Sequence, residues 1–203
     1  MIKAIIFDLD GVIVSTDKFH FQAWKYMADS MGIYFDVKIN DRLRGISRMD
    51  SLEIILERYD GSLTQEEKKI LADSKNKHYR KLLSTMTPSS VSDEVRDTLH
   101  ALHEKGHKIA IGSSSKNAKY ILNRIGLLNA FDAISDGTNI TRSKPDPEVF
   151  LMAASFLGVS PVECAVVEDA YDGIDAAKEA GMVAIAVGNT DLYDKNDYYL
   201  DRF

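Results

Sequence analysis

Residues 3–16 read KAIIFDLDGVIVST and contain the pattern that decides the fold. The apolar run AIIF leads directly into two carboxylates, Asp8 and Asp10. An unbroken apolar run bounded by polar residues is typical of a parallel strand that is covered on both faces. Gly11 would let the backbone turn sharply after the acids. This stretch therefore predicts a central buried strand with two acidic side chains at its carboxyl end.

Further apolar runs of the same kind alternate with helical patterns along the rest of the chain. Several of the helical patterns stop at a glycine, which is a common helix terminator. Strand–helix alternation predicts an α/β fold, a doubly wound (Rossmann-like) parallel sheet. The predicted strands are residues 2–7, 107–112, 131–134, 164–167 and 182–187, and the predicted helices between them are 93–105, 117–125, 146–157 and 171–180. No strand is predicted after residue 187.

One long segment after the first strand interrupts this alternation. It carries four helical patterns, and the last begins with Thr64 and Glu67 at the spacing of a capping box. A connection with several helices of its own indicates an inserted domain rather than a loop. The helical patterns are residues 18–31, 36–44, 48–59 and 64–84. We expect a core domain of residues 1–14 plus 88–203 and a helical cap domain of residues 15–87.

Composition limits the class of protein. The chain has 203 residues, a formal net charge of −6 and one cysteine. The acidic balance argues against nucleic-acid binding, which uses clustered Lys and Arg, and one cysteine excludes an intrachain disulfide. Cys164 lies in an apolar run, so we expect it in the core. The sequence shows neither a signal peptide nor a membrane-span pattern, which favours a cytoplasmic protein without a membrane partner.

Polar side chains follow the predicted strands at the points where the strands end. In a parallel sheet these ends share one edge, where ligands bind. Clustered carboxylates without His or Cys suit Mg²⁺, whereas a serine at a helix start and a lysine suit a phosphate. One carboxylate could then act as a nucleophile and another as a general acid and base. The residues concerned are Asp8, Asp10, Ser113, Lys144, Glu168 and Asp169.

Four of these features, in order along the chain, resemble the four motifs of the haloacid dehalogenase superfamily of phosphotransferases. They are FDLDG, Ser113, Lys144 and EDAYDGI, and the helical insert resembles the C1 cap of that superfamily. The resemblance covers nearly the whole chain. It implies that Asp8 is the nucleophile, that Asp10 is the general acid and base, and that Ser113 and Lys144 bind the transferring phosphate.

The resemblance also implies one Mg²⁺ ion per chain. Its expected ligands are Asp8, the backbone carbonyl of Asp10 and Asp169, with Glu168 close by. Asp172, within the fourth motif, departs from the usual small residue of sugar phosphomutases. An additional acid there could act as an outer-shell group near the metal, as in related phosphatases.

The predicted cap resembles that of sugar phosphomutases within this superfamily. The segments concerned are HFQAW at 20–24, RGISRMDSL at 44–52 and SSSKN at 113–117. A mutase must hold two phosphates, and the resemblance implies that Arg48 binds the one farther from the nucleophile, for which its planar guanidinium is suited. Ser115, Lys116 and Asn117 are expected to assist Arg48.

Other cap residues are assigned by the same resemblance. Thr16 and His20 are expected to orient Asp10 when the cap closes, and Lys75 is expected to contact the sugar. The remaining residues expected on the substrate side of the cap are Trp24, Leu43, Gly45 and Ser51.

The reaction implied is interconversion of β-D-glucose 1-phosphate and glucose 6-phosphate, with β-glucose 1,6-bisphosphate as activator and intermediate. One alternative is a sugar-phosphate or phosphoglycolate-type phosphatase on the same scaffold, in which water accepts the phosphoryl group. A second alternative is a receiver-like phosphoacceptor domain, but such domains lack a long helical insert after the first strand. We expect a monomer that acts on a small sugar phosphate.

Overall fold

The structure is a computed structural model that describes residues 1–43, 46–188 and 195–202. The chain divides into two compact units. The core unit comprises Met1–Ser15 and Met86–Phe203, and the helical unit comprises Thr16–Thr85. The sequence predicted the boundaries between these two units after residues 14 and 87. That the helical unit acts as a cap over the core unit stays a prediction.

A single parallel sheet organises the core unit. Within the described residues its strands are β1 (Ala4–Phe7), β2 (Lys108–Gly112), β3 (Ala133–Ser135), β4 (Cys164–Glu168), β5 (Val183–Val187) and β6 (Tyr198–Leu200). Their order across the sheet is β3-β2-β1-β4-β5-β6, and every neighbouring pair is parallel. Phe7 at the end of β1 lies opposite Ile111 of β2 and Val167 of β4. The strand that precedes the two acids is therefore central, as predicted.

Eight helices are present in the described residues, and they confirm the predicted helices to within a few positions. Local signals fix their ends: Thr64 and Glu67 form the predicted capping box, Ser92 accepts a hydrogen bond from the amide of Val95, and Gly158 ends a helix in the left-handed conformation. The helices are α1 (Asp17–Ser30), α2 (Val37–Asp41), α3 (Arg48–Leu56), α4 (Gln65–Leu83), α5 (Asp93–Glu104), α6 (Ala118–Arg124), α7 (Glu148–Leu157) and α8 (Tyr171–Glu179).

Apolar side chains cover both faces of β1. Ile6 is fully buried in one cluster with Phe150 of α7 and Ile174 of α8. Adjacent residues of a strand point to opposite faces, and Phe7 contacts the edge of Phe131, with ring centroids 6.4 Å apart. Burial of each such side chain contributes about 1.5–3 kcal/mol to folding. The continuous apolar pattern of the sequence is thus explained by a sheet buried on both sides.

The sixth strand corrects the expectation that no strand follows residue 187. β6 is only three residues long and forms one edge of the sheet. Asp197, just before β6, holds it beside β5 through two hydrogen bonds of 2.8 Å. The amide of Asp197 donates to Ala184 O, and its carboxylate accepts from Ala184 N. Three residues are too few to show the apolar pattern by which a strand is predicted from sequence. The pairing of β6 depends instead on the contact between Asp197 and Ala184.

The helical unit has an apolar core of its own. Trp24 and Met27 of α1 are buried there with Leu52 of α3. A buried hydrogen bond of 2.8 Å also joins the hydroxyls of Thr16 and Tyr79, which ties the start of α1 to α4. None of the helices in the described ranges has the length and apolar character needed to cross a membrane.

Candidate active site

The ends of two strands and one loop bring acidic and basic side chains together in the core unit. Lys144 lies in the loop before α7, and its ammonium donates to Asp8 Oδ1 at 2.5 Å and to Glu168 Oε2 at 2.7 Å. Asp8 follows β1, and Glu168 is the last residue of β4. All three side chains are buried. The parallel sheet thus brings together residues that are 136 positions apart in the chain.

The electrostatics of this cluster follow from burial and close charges. Burial raises the pKa of Asp8 to about 7, and the negative charge of Glu168 adds to the increase although Lys144 opposes it. Burial by itself would lower the pKa of Lys144, but the charges of Asp8 and Glu168 outweigh it and raise that pKa above its usual value. Lys144 therefore stays charged. A further positive charge nearby would stabilise the ionised form of Asp8.

Three carboxyl groups at this edge form a group suited to a cation. Oxygen atoms of Asp8, Glu168 and Asp169 all lie within 4.8 Å of one another. Burial raises the pKa of Asp169 to about 8, and the charges of Glu168, Asp8 and Asp10 add to the increase. A hard divalent cation with oxygen ligands would relieve this repulsion, so the donor set fits Mg²⁺. Asp172 is outside this group of three, half-buried in the first turn of α8.

Two glycines leave the space in which these acids lie. Gly11 has φ +93°, and a Cβ atom built on it would lie 2.0 Å from Asp169 Oδ2. A Cβ atom on Gly173, within α8, would lie 2.1 Å from Glu168 Oε2. Real Cβ atoms do not approach other atoms so closely. The two carboxylates therefore occupy volume that any side chain at these glycines would fill.

The loop after β2 carries the predicted phosphate-binding residues. Ser113 is buried, and its hydroxyl accepts a hydrogen bond from the amide of Ser115 at 3.2 Å. The hydroxyl of Ser115 accepts in turn from the amide of Asn117 at 3.2 Å, and Asn117 begins α6 as its N-cap. Lys116 between them is exposed. Consecutive hydroxyl-to-amide bonds of this type shape a tight polar turn before a helix start.

A second cluster lies inside the helical unit. Lys75 of α4 is buried, and its ammonium lies 3.0 Å from His20 Nδ1 and 4.5 Å from the centre of the Trp24 ring. The centre of the Tyr79 ring lies 4.6 Å from the same ammonium. Burial lowers the pKa of His20 well below its usual value, and the positive charges of Lys75 and Arg48 add to that effect. His20 is therefore neutral at neutral pH.

Arg48 is the first residue of α3, and its guanidinium donates to Asn76 Oδ1 at 2.9 Å. Burial lowers the pKa of Arg48 below its ordinary value, against the negative charge of Asp73. Ser51, one turn further along α3, is buried. Leu43 and Trp24 belong to the apolar core of the helical unit, and their substrate contacts stay predictions, as does that of Ser51. The expected contact of Gly45 lies outside the described residues.

Residues 2–181 match the family model of the haloacid dehalogenase-like hydrolases. The chain belongs to the haloacid dehalogenase-like hydrolase family. The family predicted from the four motifs is thus confirmed, and so is the α/β fold that it implies.

Curated relatives within the haloacid dehalogenase-like hydrolases include both mutases and phosphatases. The chain is 47% identical over 189 residues to a protein named β-phosphoglucomutase from Bacillus subtilis, covering 92% of this chain and 83% of the relative. It is 33% identical over 184 residues to the fructose-1-phosphate phosphatase YqaB of Escherichia coli, covering 90% of this chain and 95% of the relative. Among solved structures, a β-phosphoglucomutase from Clostridium difficile superposes with a TM-score of 0.92 at 41% identity, covering 100% of this chain and 92% of that one.

Two residues of this haloacid dehalogenase-like chain contribute to the site geometry but were not among the predicted site residues. Gly173 is an isolated glycine within a helical pattern, which is a signal for a packing or functional constraint. Asn76 gives no comparable signal, because its partner Arg48 lies on another helix. The core cysteine, by contrast, is as predicted: Cys164 is fully buried, and burial raises the pKa of its thiol to about 11.

Proposed function

We propose that the protein is a phosphomutase that interconverts β-D-glucose 1-phosphate and glucose 6-phosphate. The observation that carries the proposal is the Lys144 ammonium 2.5 Å from Asp8 in a buried acidic cluster, since this arrangement supports phosphoryl transfer to Asp8. The 47% identity to the β-phosphoglucomutase of Bacillus subtilis favours the mutase among the possible phosphoryl transfers. A monomeric, cytoplasmic enzyme remains our expectation.

Asp8 acts as the nucleophile in this proposal. Its carboxylate oxygen attacks a phosphorus of β-glucose 1,6-bisphosphate, the bond to the leaving sugar oxygen breaks, and an aspartyl-phosphate forms. Lys144 and Ser113 offset the charge on the transferring group. Asp10 gives a proton to the leaving oxygen and takes one from the incoming hydroxyl in the return step. Phospho-Asp8 gives its phosphoryl group to the 6-hydroxyl of β-glucose 1-phosphate, and the 1-phosphoryl group of the resulting β-glucose 1,6-bisphosphate then passes back to Asp8, which releases glucose 6-phosphate.

Asp8, Glu168 and Asp169, together with the Asp10 carbonyl, would hold one Mg²⁺ ion. When bound, this ion supplies positive charge that stabilises the transferring phosphoryl group. The fit rests on the all-oxygen donor set and on the raised pKa values of Asp8 and Asp169, which burial and the neighbouring carboxylates cause.

The helical unit supplies the second phosphate site and the control of protonation. Arg48 binds the phosphate that is farther from Asp8, and Ser115, Lys116 and Asn117 assist it. Thr16 and His20 orient Asp10, and Lys75 contacts the sugar. Trp24, Gly45 and Ser51 complete the substrate side of the cap. Closure of the helical unit excludes water, so that a sugar hydroxyl accepts the phosphoryl group.

A phosphatase on the same scaffold is the second candidate. The 33% identity to a fructose-1-phosphate phosphatase favours it, because that relative spans nearly the same length of chain. The two candidates share the chemistry at Asp8 and differ only in the acceptor, which is water in the phosphatase.

The deciding experiment supplies pure β-glucose 1-phosphate, Mg²⁺ and a trace of β-glucose 1,6-bisphosphate. Glucose 6-phosphate and free phosphate are followed in the same reaction, with D8N as the control. We expect glucose 6-phosphate to form much faster than phosphate, and D8N to form neither. Release of phosphate alone would replace the mutase by the phosphatase, and unchanged turnover by D8N would overturn the aspartyl-phosphate mechanism.

A further inference from the structure

The carboxylate of Glu148 accepts hydrogen bonds from the start of the loop that carries Lys144, and so joins the two ends of that loop. Glu148 is the first residue of α7, and it reaches back to the amide of Arg142 at 2.7 Å. The same carboxylate accepts from the amide of Thr141 at 3.0 Å and from the Thr141 hydroxyl at 2.9 Å. Two backbone donors and one hydroxyl therefore converge on one side chain. The amide of Arg142 is the largest of the effects that lower the pKa of Glu148, so the carboxylate stays ionised.

Lys144 lies in the middle of the closed loop. Its backbone amide donates to the Ser114 hydroxyl at 3.4 Å, a long bond. Asp146 adds internal bonds, because its amide donates to Ser143 O at 3.1 Å and its carboxylate accepts from the Glu148 amide at 3.0 Å. Thr141 and Arg142 are exposed, so apolar packing does not hold that end of the loop. The Glu148 carboxylate attaches the start of the loop to α7 through hydrogen bonds to two backbone amides and one hydroxyl.

Glu148 also connects the loop to the element that packs under the lysine ammonium. Phe150, two residues after Glu148, is fully buried, and its ring centre lies 4.7 Å from Lys144 Nζ. The start of the loop and the ammonium of Lys144 therefore both contact the first turn of α7. A long side chain keeps a fixed position only when its backbone and its head group are both held.

We propose that Glu148 is a positioning residue for phosphoryl transfer, because it holds Lys144 at the distance from Asp8 that the reaction needs. This inference rests on the proposed function, since it assumes that Asp8 receives the phosphoryl group. The bond between Lys144 and Asp8 must change when an Asp8 oxygen is phosphorylated. At that point the loop attachment and Glu168 are what keep the lysine in place.

The test is a double-mutant cycle between Glu148 and Lys144. The variants are E148A, K144M and the double variant, and the rate is the sum of glucose 6-phosphate and free phosphate formed from β-glucose 1-phosphate. We expect E148A to lower kcat on the order of 10-fold to 10²-fold with a much smaller change in KM, because small displacements of catalytic groups are costly. In the K144M background, E148A should change kcat less than twofold.

E67A is the matched control, because Glu67 also accepts from the amide and the hydroxyl of a threonine, at 2.7 and 2.8 Å, but in the helical unit. E67A should lower Tm while kcat stays within twofold of the wild type. E148Q retains one acceptor oxygen, so it should recover part of the kcat that E148A loses. The proposal is overturned if the losses of E148A and K144M multiply in the double variant, or if E148A changes kcat no more than E67A.

The proposed function and the role of Glu148 fail separately in this design. If the wild type releases only free phosphate, the mutase is wrong, but the cycle still measures the coupling of Glu148 to Lys144 through phosphate release. If the wild type forms glucose 6-phosphate and the losses multiply, the mutase stands and the role of Glu148 is wrong. A wild type that forms neither product overturns both.

Discussion

The ammonium of Lys144 lies 2.5 Å from a carboxylate oxygen of Asp8, and both side chains are at least 90% buried. This close, dry contact makes the lysine the main fixed positive charge beside the proposed nucleophile. Removal of one preorganised charge of this kind typically costs 10² to 10³-fold in rate.

K144M should therefore lower the rate of product formation from β-glucose 1-phosphate on the order of 10²-fold or more. The measurement is the initial rate at saturating substrate and Mg²⁺. K3M is the matched control, because Lys3 pairs with Glu163 at 2.7 Å at the opposite end of β1 and is largely exposed. A loss of less than tenfold in K144M would contradict the role given to Lys144.

Substitution of Gly173 by alanine should destabilise the protein, although the same change usually stabilises a helix. In a helix interior, alanine is normally more stable than glycine by about 1 kcal/mol. At position 173 the added methyl group would lie 2.1 Å from Glu168 Oε2. G173A should therefore lower the free energy of unfolding, by about 1–3 kcal/mol, and displace Glu168. Urea unfolding measures the change, and an increase in stability would show that Glu168 can move without cost.

Arg48 should affect substrate binding without affecting the chemistry at Asp8. Loss of a charge-assisted bond to phosphate costs about 1.5–3 kcal/mol. R48A should therefore raise KM for β-glucose 1-phosphate about 10-fold to 10²-fold, while phosphorylation of Asp8 by acetyl phosphate continues at the wild-type rate. R58A, at an exposed arginine of the same unit, is the control. Equal losses in both assays of R48A would argue against a second phosphate site at Arg48.

Mg²⁺ and protons should compete for the acidic cluster. The pKa values of Asp8 and Asp169 are about 7 and about 8, so both carboxyls bind protons as pH falls through this range. Cation binding requires the deprotonated forms and stabilises the folded state by mass action. The rise in Tm on addition of Mg²⁺ should therefore be larger at pH 8 than at pH 6, and D169N should lose most of it. An equal rise in Tm at both pH values would show that Mg²⁺ binds at a site other than the cluster of Asp8 and Asp169.

His20 should make the protein less stable in mild acid. Its pKa in the folded state lies well below the ordinary value near 6.5. The unfolded chain therefore takes up a proton below about pH 6.5 that the folded state does not, and stability is lost as pH falls toward the folded-state pKa. Between pH 7 and pH 5 the wild type should lose more stability than H20Q, measured by urea unfolding. H100Q, at an exposed histidine, should behave as the wild type.

The order of the predicted strands and helices could be read from the sequence because its causes are local. Each signal influences only the few residues around it. These signals are the AIIF run, the capping box at Thr64 and the glycines after the helices. The convergence of Asp8, Lys144 and Glu168 could also be predicted, since parallel strand ends share an edge.

Features that depend on distant partners could not be predicted. β6 forms because Asp197 meets Ala184, and Gly173 matters because Glu168 folds onto it. The pair of Arg48 and Asn76 joins two helices, so neither residue carries a local sign of the other. The Glu148 contacts join a loop to the first residue of a helix, so they leave no periodic pattern in the sequence.

The sheet topology has a consequence for the order in which the chain is made. β1 is synthesised well before its two neighbours in the sheet, which begin only at Lys108 and Cys164. The helical unit, by contrast, is one continuous stretch and has its own core, so it can fold while β2 is still unsynthesised. The nascent chain therefore carries β1 as an unpaired apolar segment while the helical unit is synthesised. That strand is the segment most exposed to chaperones and to aggregation until β2 and β4 emerge on either side of it.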